Sequence, residues 1–193
     1  MQERLLEAVV LFEGLACEDL LPVQWRKCES DWLNQQRLGV AERNVSLLKT
    51  CISLEEQVVA DQPDQRSTHQ ADLVRLDIKV SLLLDLVARL YAASHPLPEK
   101  RAIRFNSLGA TLTDVSFKDE VGSVGLLEVH LRPCLLDPLQ LPGRVVSVEE
   151  SGSAKISFER MEEPVVDLLE KLAFIRHRCQ VAEFKRTSAG PNV

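Results

Sequence analysis

The sequence predicts an α+β protein, a small antiparallel β-barrel of about six strands interrupted by two long helices and followed by a third. Three observations carry that prediction. Between Asp31 and Ser94 the apolar residues recur at alternating spacings of three and four, the period of helices. From Ile103 to Phe158 they alternate one in two, the period of strands with one wet and one dry face. Beyond Glu162 the helical period returns.

Ala8-Val9-Val10-Leu11-Phe12, ending at Gly14, reads as a short buried strand. Residues 15 to 30, with Leu20-Leu21-Pro22 and Trp25, read as irregular. The first long helix carries Leu38, Val45, Ile52 and Val59 seven residues apart, with Ala41 and Leu48 completing an a/d seam. The second repeats the seam more strongly, with Leu73, Val80 and Val87 at a and Leu76, Leu83 and Leu90 at d. Each helix spans ~40 Å at the usual rise. Pro63 ends the first, Ser67 and Gln70 have capping-box spacing, and Ser94-His95-Pro96 stops the second. An antiparallel coiled-coil hairpin over 31–94 is the expectation, inserted into a barrel formed by 1–30 and 95–193.

Leu82, Leu84 and Leu86 lie off the second seam, so its apolar arc is wider than one partner helix covers. Two readings compete. This face packs on the chain's own β core, or the hairpin meets copies of itself as a dimer or tetrameric bundle. The second makes both seams, from Leu38 to Val59 and from Leu73 to Leu90, oligomerisation surfaces.

In the β region Ile103 and Phe105 share a face, and Gly109 breaks the run before Ala110 and Leu112. Leu127, Val129 and Leu131 alternate with Glu128 and His130. Val146 and Val148 alternate with Ser147 and Glu149, and Ile156 and Phe158 with Ser157 and Glu159. The last helix opens on Glu162, Glu163 and Pro164 and has the stripe Val165, Leu168, Leu169 and Leu172. Arg176, His177 and Arg178 sit where cations oppose its negative end, and a frayed tail is expected from Thr187.

A formal charge of −6 over 193 residues argues against a nucleic-acid-binding surface, which needs a concentrated basic face. The five cysteines have no zinc or redox spacing, which points to reduced thiols in a cytoplasmic protein. Met1-Gln2-Glu3-Arg4 does not open a signal peptide, and no run approaches the ~20 apolar residues that span a bilayer. There is no phosphate loop, nucleophile elbow or paired-histidine motif, and His69, His95, His130 and His177 are scattered. No enzyme, metal site or cofactor is expected.

One stretch stands apart, Lys100-Arg101-Ala102-Ile103-Arg104 followed by Phe105-Asn106-Ser107-Leu108-Gly109. Arg101 and Arg104 have the chemistry to grip phosphate and stack on a purine. Asn106, Ser107 and Gly109 add hydrogen-bonding groups and a close backbone approach. The alternative is a basic linker entering a strand and then a turn.

Several landmarks occur in a familiar order. They are Val9-Val10-Leu11-Phe12-Glu13-Gly14, Asn44 with Leu47-Leu48, Leu76-Asp77-Ile78-Lys79-Val80, and Leu97-Pro98. Arg104 to Gly109, Pro142-Gly143-Arg144-Val145-Val146, Phe158-Glu159 and Phe174-Ile175-Arg176-His177-Arg178 complete them. In this order the chain resembles the PilZ family, and more closely its atypical, tetramer-forming branch of bacterial cyclic di-GMP receptors. The resemblance implies a PilZ-like barrel and a non-catalytic regulatory role, with outputs such as type IV pilus motility, biofilm and virulence. It also implies a homotetramer and a signalling or pilus-assembly partner; direct binding of cyclic di-GMP is expected through Arg101 and Arg104, with Asn106, Ser107 and Gly109 alongside. The family's two arginines three residues apart are absent ahead of the first strand, where Arg4 is followed by Ala8. Lys100 and Arg104 have that spacing, and Asn106-Ser107-Leu108-Gly109 is a contracted form of the family's N-x-S-x-x-G. The rival expectation is an oligomeric protein–protein adaptor whose barrel has lost the nucleotide.

Overall fold

The computed structural model describes residues 15–60, 68–94, 96–113, 119–132, 135, 137–149, 152–159 and 161–188. Six strands, β1 (Cys17–Lys27), β2 (Lys100–Phe105), β3 (Gly109–Leu112), β4 (Val124–Val129), β5 (Leu139–Val148) and β6 (Ala154–Phe158), close into a barrel. Their order is β1-β2-β3-β6-β5-β4, and every pairing is antiparallel. Two helices, α1 (Ser30–Ala60) and α2 (Thr68–Ser94), are inserted between β1 and β2, and α3 (Glu163–Ser188) follows β6.

Residues 15 to 30, expected to be irregular, contain the longest of these strands. β1 pairs with β2 through Cys17–Pro22 and with β4 through Val23–Lys27, and this change of partner closes the barrel. Pro22 sits at the changeover, and its carbonyl accepts the His130 N–H at 3.0 Å. Cys17, Leu21 and Val23 are core residues with Trp25 packed against them, a period of two. Asp19 falls on the same parity and hides that period in the sequence. The strand expected at Ala8–Phe12 lies outside the described residues.

Ile103, Phe105, Ala110, Leu112, Leu127, Val129 and Ile156 fill the interior, as their alternation assigns. β5 departs from it. Leu139, Leu141 and Val145 are fully buried, whereas Val146 and Val148, expected on the dry face, are only half-buried. A bulge between Val145 and Ser147 shifts the register against β6. Gly143 faces β6 so closely that a Cβ there would meet Ile156 Cγ2 at 2.7 Å and the Ser157 carbonyl oxygen at 2.8 Å.

α1 buries Val40, Asn44, Leu48, Cys51, Ile52 and Glu55, a stripe recurring near every fourth residue. That stripe packs on α3, β5 and β4. Asn44 clamps it to the barrel: its Nδ2 donates to the Gln140 carbonyl at 2.7 Å, and Gln140 N–H donates to its Oδ1 at 3.0 Å. Leu48 and Ile52, expected on an oligomer seam, are therefore part of the chain's own core, and Val45 packs against it. Leu38 is 70% exposed, and the Val59 side chain lies outside the described residues. Pro63 and Ser67, assigned to the turn and the capping box, also lie outside them.

Among the described residues the buried stripe of α1 is taken by the barrel and α3. α2 ends at Ser94, as the following proline requires. α3 buries Val165, Leu169, Leu172 and Ala173. It runs through Thr187 to Ser188, past the point where a frayed tail was expected.

Candidate functional site

β2, the turn after it and β3 carry the residues singled out for a ligand. Residues three apart on a strand point to opposite faces. Arg101 shares the parity of buried Ile103 and Phe105, while Arg104 projects outward with Lys100 and Ala102. Arg101 and Arg104 therefore diverge and do not form one clamp. An Arg101 amine lies 3.4 Å from the Glu99 carboxylate. Asn106 is 7% exposed, and its Oδ1 accepts the N–H groups of Leu108 at 2.8 Å and Gly109 at 3.1 Å. The Asn106 N–H closes the turn on the Gly109 carbonyl at 3.0 Å. Ser107 Oγ lies 3.0 Å from Glu170 Oε1 of α3, and Gly109 opens β3 opposite Ser157.

Of the five expected residues, Arg104 faces outward into a groove. Strand register puts it in a row the sequence reading missed: Glu18, Arg104, Thr111 and Lys155 lie side by side across β1, β2, β3 and β6. They line a groove of about 530 Å³ whose other walls include Leu20, Ala102 and Thr113. Arg104 Nε is 3.1 Å from Glu18 Oε1, and Lys155 Nζ is 3.7 Å from Glu149 Oε1. Alternation in Ala154-Lys155-Ile156 marks Lys155 as outward. No local signal marks it as a neighbour of Arg104.

A second polar cluster joins β1, α1 and α3. The Arg176 side chain is 14% exposed, with Nε 3.0 Å from Glu55 Oε1 and another guanidinium nitrogen 3.4 Å from Asp19 Oδ2. Arg132 approaches the same Glu55 oxygen at 3.5 Å. A cavity of about 370 Å³ opens beside them, lined also by Glu18, Leu131, Cys179 and Gln180. Arg176, expected to offset the end of a helix, lies mid-helix and is a buried ion partner instead. Burial is the largest single influence and works against its charge, but Glu55, Cys17 and Cys51 together outweigh it and hold its pKa above the ordinary value. Burial also pushes the Cys17 thiol up to about 12 and raises that of Cys51, with Glu55 adding to both.

α2 has a different character. Leu73, Leu76, Val80, Leu83, Val87 and Leu90 are 45% to 65% exposed in the single chain. Ile78, Leu82, Leu84 and Leu86 are exposed as well, so the apolar arc spreads well beyond the seam. A helix of that kind is ordinarily buried in something larger. Among the described residues no helix is long and apolar enough to cross a membrane, and no three His, Cys, Asp or Glu side chains are grouped to hold a metal ion.

No curated protein matches the chain. Among solved structures it is similar to a pathogenic protein from Xanthomonas campestris, described as a tetrameric PilZ domain self-assembled via a helical bundle. The TM-score is 0.73 at 23% identity, over 92% of this chain and 96% of the other, a likeness of fold. The family model of the atypical PilZ domain, described as a cyclic di-GMP receptor, matches residues 48–186. That stretch covers more than two thirds of the 193 residues and includes β2 to β6, so the chain belongs to the atypical PilZ family.

Proposed function

We propose that the protein is a non-catalytic regulatory module of cyclic di-GMP signalling that receives the nucleotide on the outer face of its barrel. The row Arg104, Thr111, Lys155 carries this reading. Its two cations stand two strand spacings apart, ~10 Å, with a hydroxyl between them, and an arginine and a lysine separated in this way suit a ligand bearing two phosphates. Arg101 and Asn106 have no part in this version of the site. Calorimetry with cyclic di-GMP at high micromolar protein tests it. Heat that falls at least tenfold in affinity in both Arg104→Ala and Lys155→Ala supports the reading, and no heat removes it.

A specific observation favours the rival adaptor reading. Arg104 and Lys155 already have carboxylate partners in Glu18 and Glu149, while α2 presents a long row of uncovered leucines and valines. In that version the barrel is a scaffold, and its partner binds regardless of cyclic di-GMP. Both versions include self-association through α2 into a homotetramer, the assembly described for the Xanthomonas campestris protein. Light scattering at several concentrations tests the assembly, and a stable monomer refutes it. Type IV pilus motility, biofilm and virulence as outputs rest on the family resemblance. A cytoplasmic location belongs to the same proposal.

A further inference from the structure

We infer that the Glu18–Asp19 step of β1 is a relay through which occupation of the outer barrel face alters how firmly α3 and α1 are held. The inference rests on the reading that this face takes an anionic ligand. Glu18 points its carboxylate at Arg104 on the outer face, and its carbonyl accepts from Gln180 Nε2 of α3 at 3.3 Å. Asp19, the next residue, holds Arg176 of α3 on the other side of the strand, and Arg176 in turn grips Glu55 of α1. At the adjoining turn Ser107 contacts Glu170, six residues before Arg176 on α3.

Joined through the Glu18–Asp19 peptide link, the Arg104–Glu18 and Asp19–Arg176–Glu55 contacts run from the groove to both helices. A ligand shifts a conformational equilibrium only by binding its two states differently. Here the difference has a concrete form, because a phosphate on Arg104 competes with the Glu18 carboxylate for the same guanidinium. Once Glu18 is released, the β1 edge that anchors Gln180 and Asp19 loses a restraint, and the α3 segment from Glu170 to Gln180 opens more readily. α1 follows through Glu55. Each such exposed contact is weak, so the effect appears as a change in local opening and not as a change of fold.

Amide hydrogen exchange followed by mass spectrometry on the full chain tests the relay, first without nucleotide. Arg104→Ala mimics the release of Glu18, and exchange over 170–180 and 51–56 is expected to rise about two- to fivefold while β5 is unchanged. In Asp19→Asn the same regions are already faster, and adding Arg104→Ala raises them little further. Unchanged exchange in Arg104→Ala overturns the relay, as does a rise spread evenly over β5. The ligand reading is read separately, from the heat of cyclic di-GMP binding to the unsubstituted chain. If that heat is absent while Arg104→Ala still loosens both helices, the nucleotide assignment falls and the relay stands. If heat is present and exchange over 170–180 does not move, the relay falls and the nucleotide assignment stands.

Discussion

α1 and α2 are neighbours in sequence, similar in length and alike in their leucine and valine repeats, yet they meet opposite fates. α1 lays Leu48, Cys51 and Ile52 into the core shared by the barrel and α3, and it fastens itself there through Asn44 and Glu55. α2 keeps Leu76, Leu83 and Leu90 in the open. Heptad periodicity therefore states that a helix has an apolar face and says nothing about what covers it. What distinguishes the two is polar. α1 carries an asparagine and a glutamate within its buried stripe, each matched by a partner on another element, and such pairs fix which surface the helix meets.

Substitutions break that comparison most sharply at Glu55. Glu55→Ala leaves Arg176 buried without its main partner, and a loss of about 3–5 kcal/mol is expected from denaturant unfolding. Leu48→Ala follows at about 2–5 kcal/mol, from lost burial plus the cavity left behind. On α2, replacing Leu76 and Leu83 together with lysine is expected to reduce the assembly to monomer in light scattering. The β signal in circular dichroism and the melting of the barrel are expected to stay as they were, and a melted barrel would show that those leucines serve the chain's own core.

The pH response sharpens the same contrast, because Cys51 on α1 and Cys17 opposite it are buried thiols. Below about pH 9 the Cys17 thiol is protonated in both folded and unfolded chains. Between 9.0 and about 12 the unfolded chain releases a proton that the folded one retains, so stability falls as pH rises through that window. Cys51 acts in the same sense. Cys17→Val is expected to flatten the alkaline loss in urea midpoints measured from pH 8 to 11. The smallest effect belongs to the outer face, where Arg104→Ala costs less than about 1 kcal/mol of global stability, as befits an exposed ion pair.

Much of the barrel was legible in advance because a strand half exposed to water writes its two faces into alternate residues. Ile103 and Phe105, Leu127 and Val129, and Ile156 all occupy the interior that their alternation assigns them. The pattern failed where a polar group sat on the inner parity or the parity itself slipped. Asp19 concealed β1 because its carboxylate is taken by Arg176, 157 residues away in sequence. In β5 Val145 shares the buried parity of Leu139 and Leu141, and Val146, at the bulge that follows, lies off that face. The candidate site was less legible still. Arg101 and Arg104 are near neighbours in the chain and point apart, whereas Arg104 and Lys155 are far apart and stand in one row.

By itself the sequence determined the period of the helices and of β2, β4 and β6, the breaks at Gly109, Ser94 and Pro164, and the presence of two long helices with apolar faces ahead of the later strands. These are local matters, set by backbone sterics and by which side of a single element avoids water. Only the tertiary structure decided which strand lies beside which, that α1 and not α2 joins the core, and that Glu18, Arg104, Thr111 and Lys155 share a face. Those outcomes depend on register and on ion pairs between distant residues, and no window of neighbouring side chains contains them.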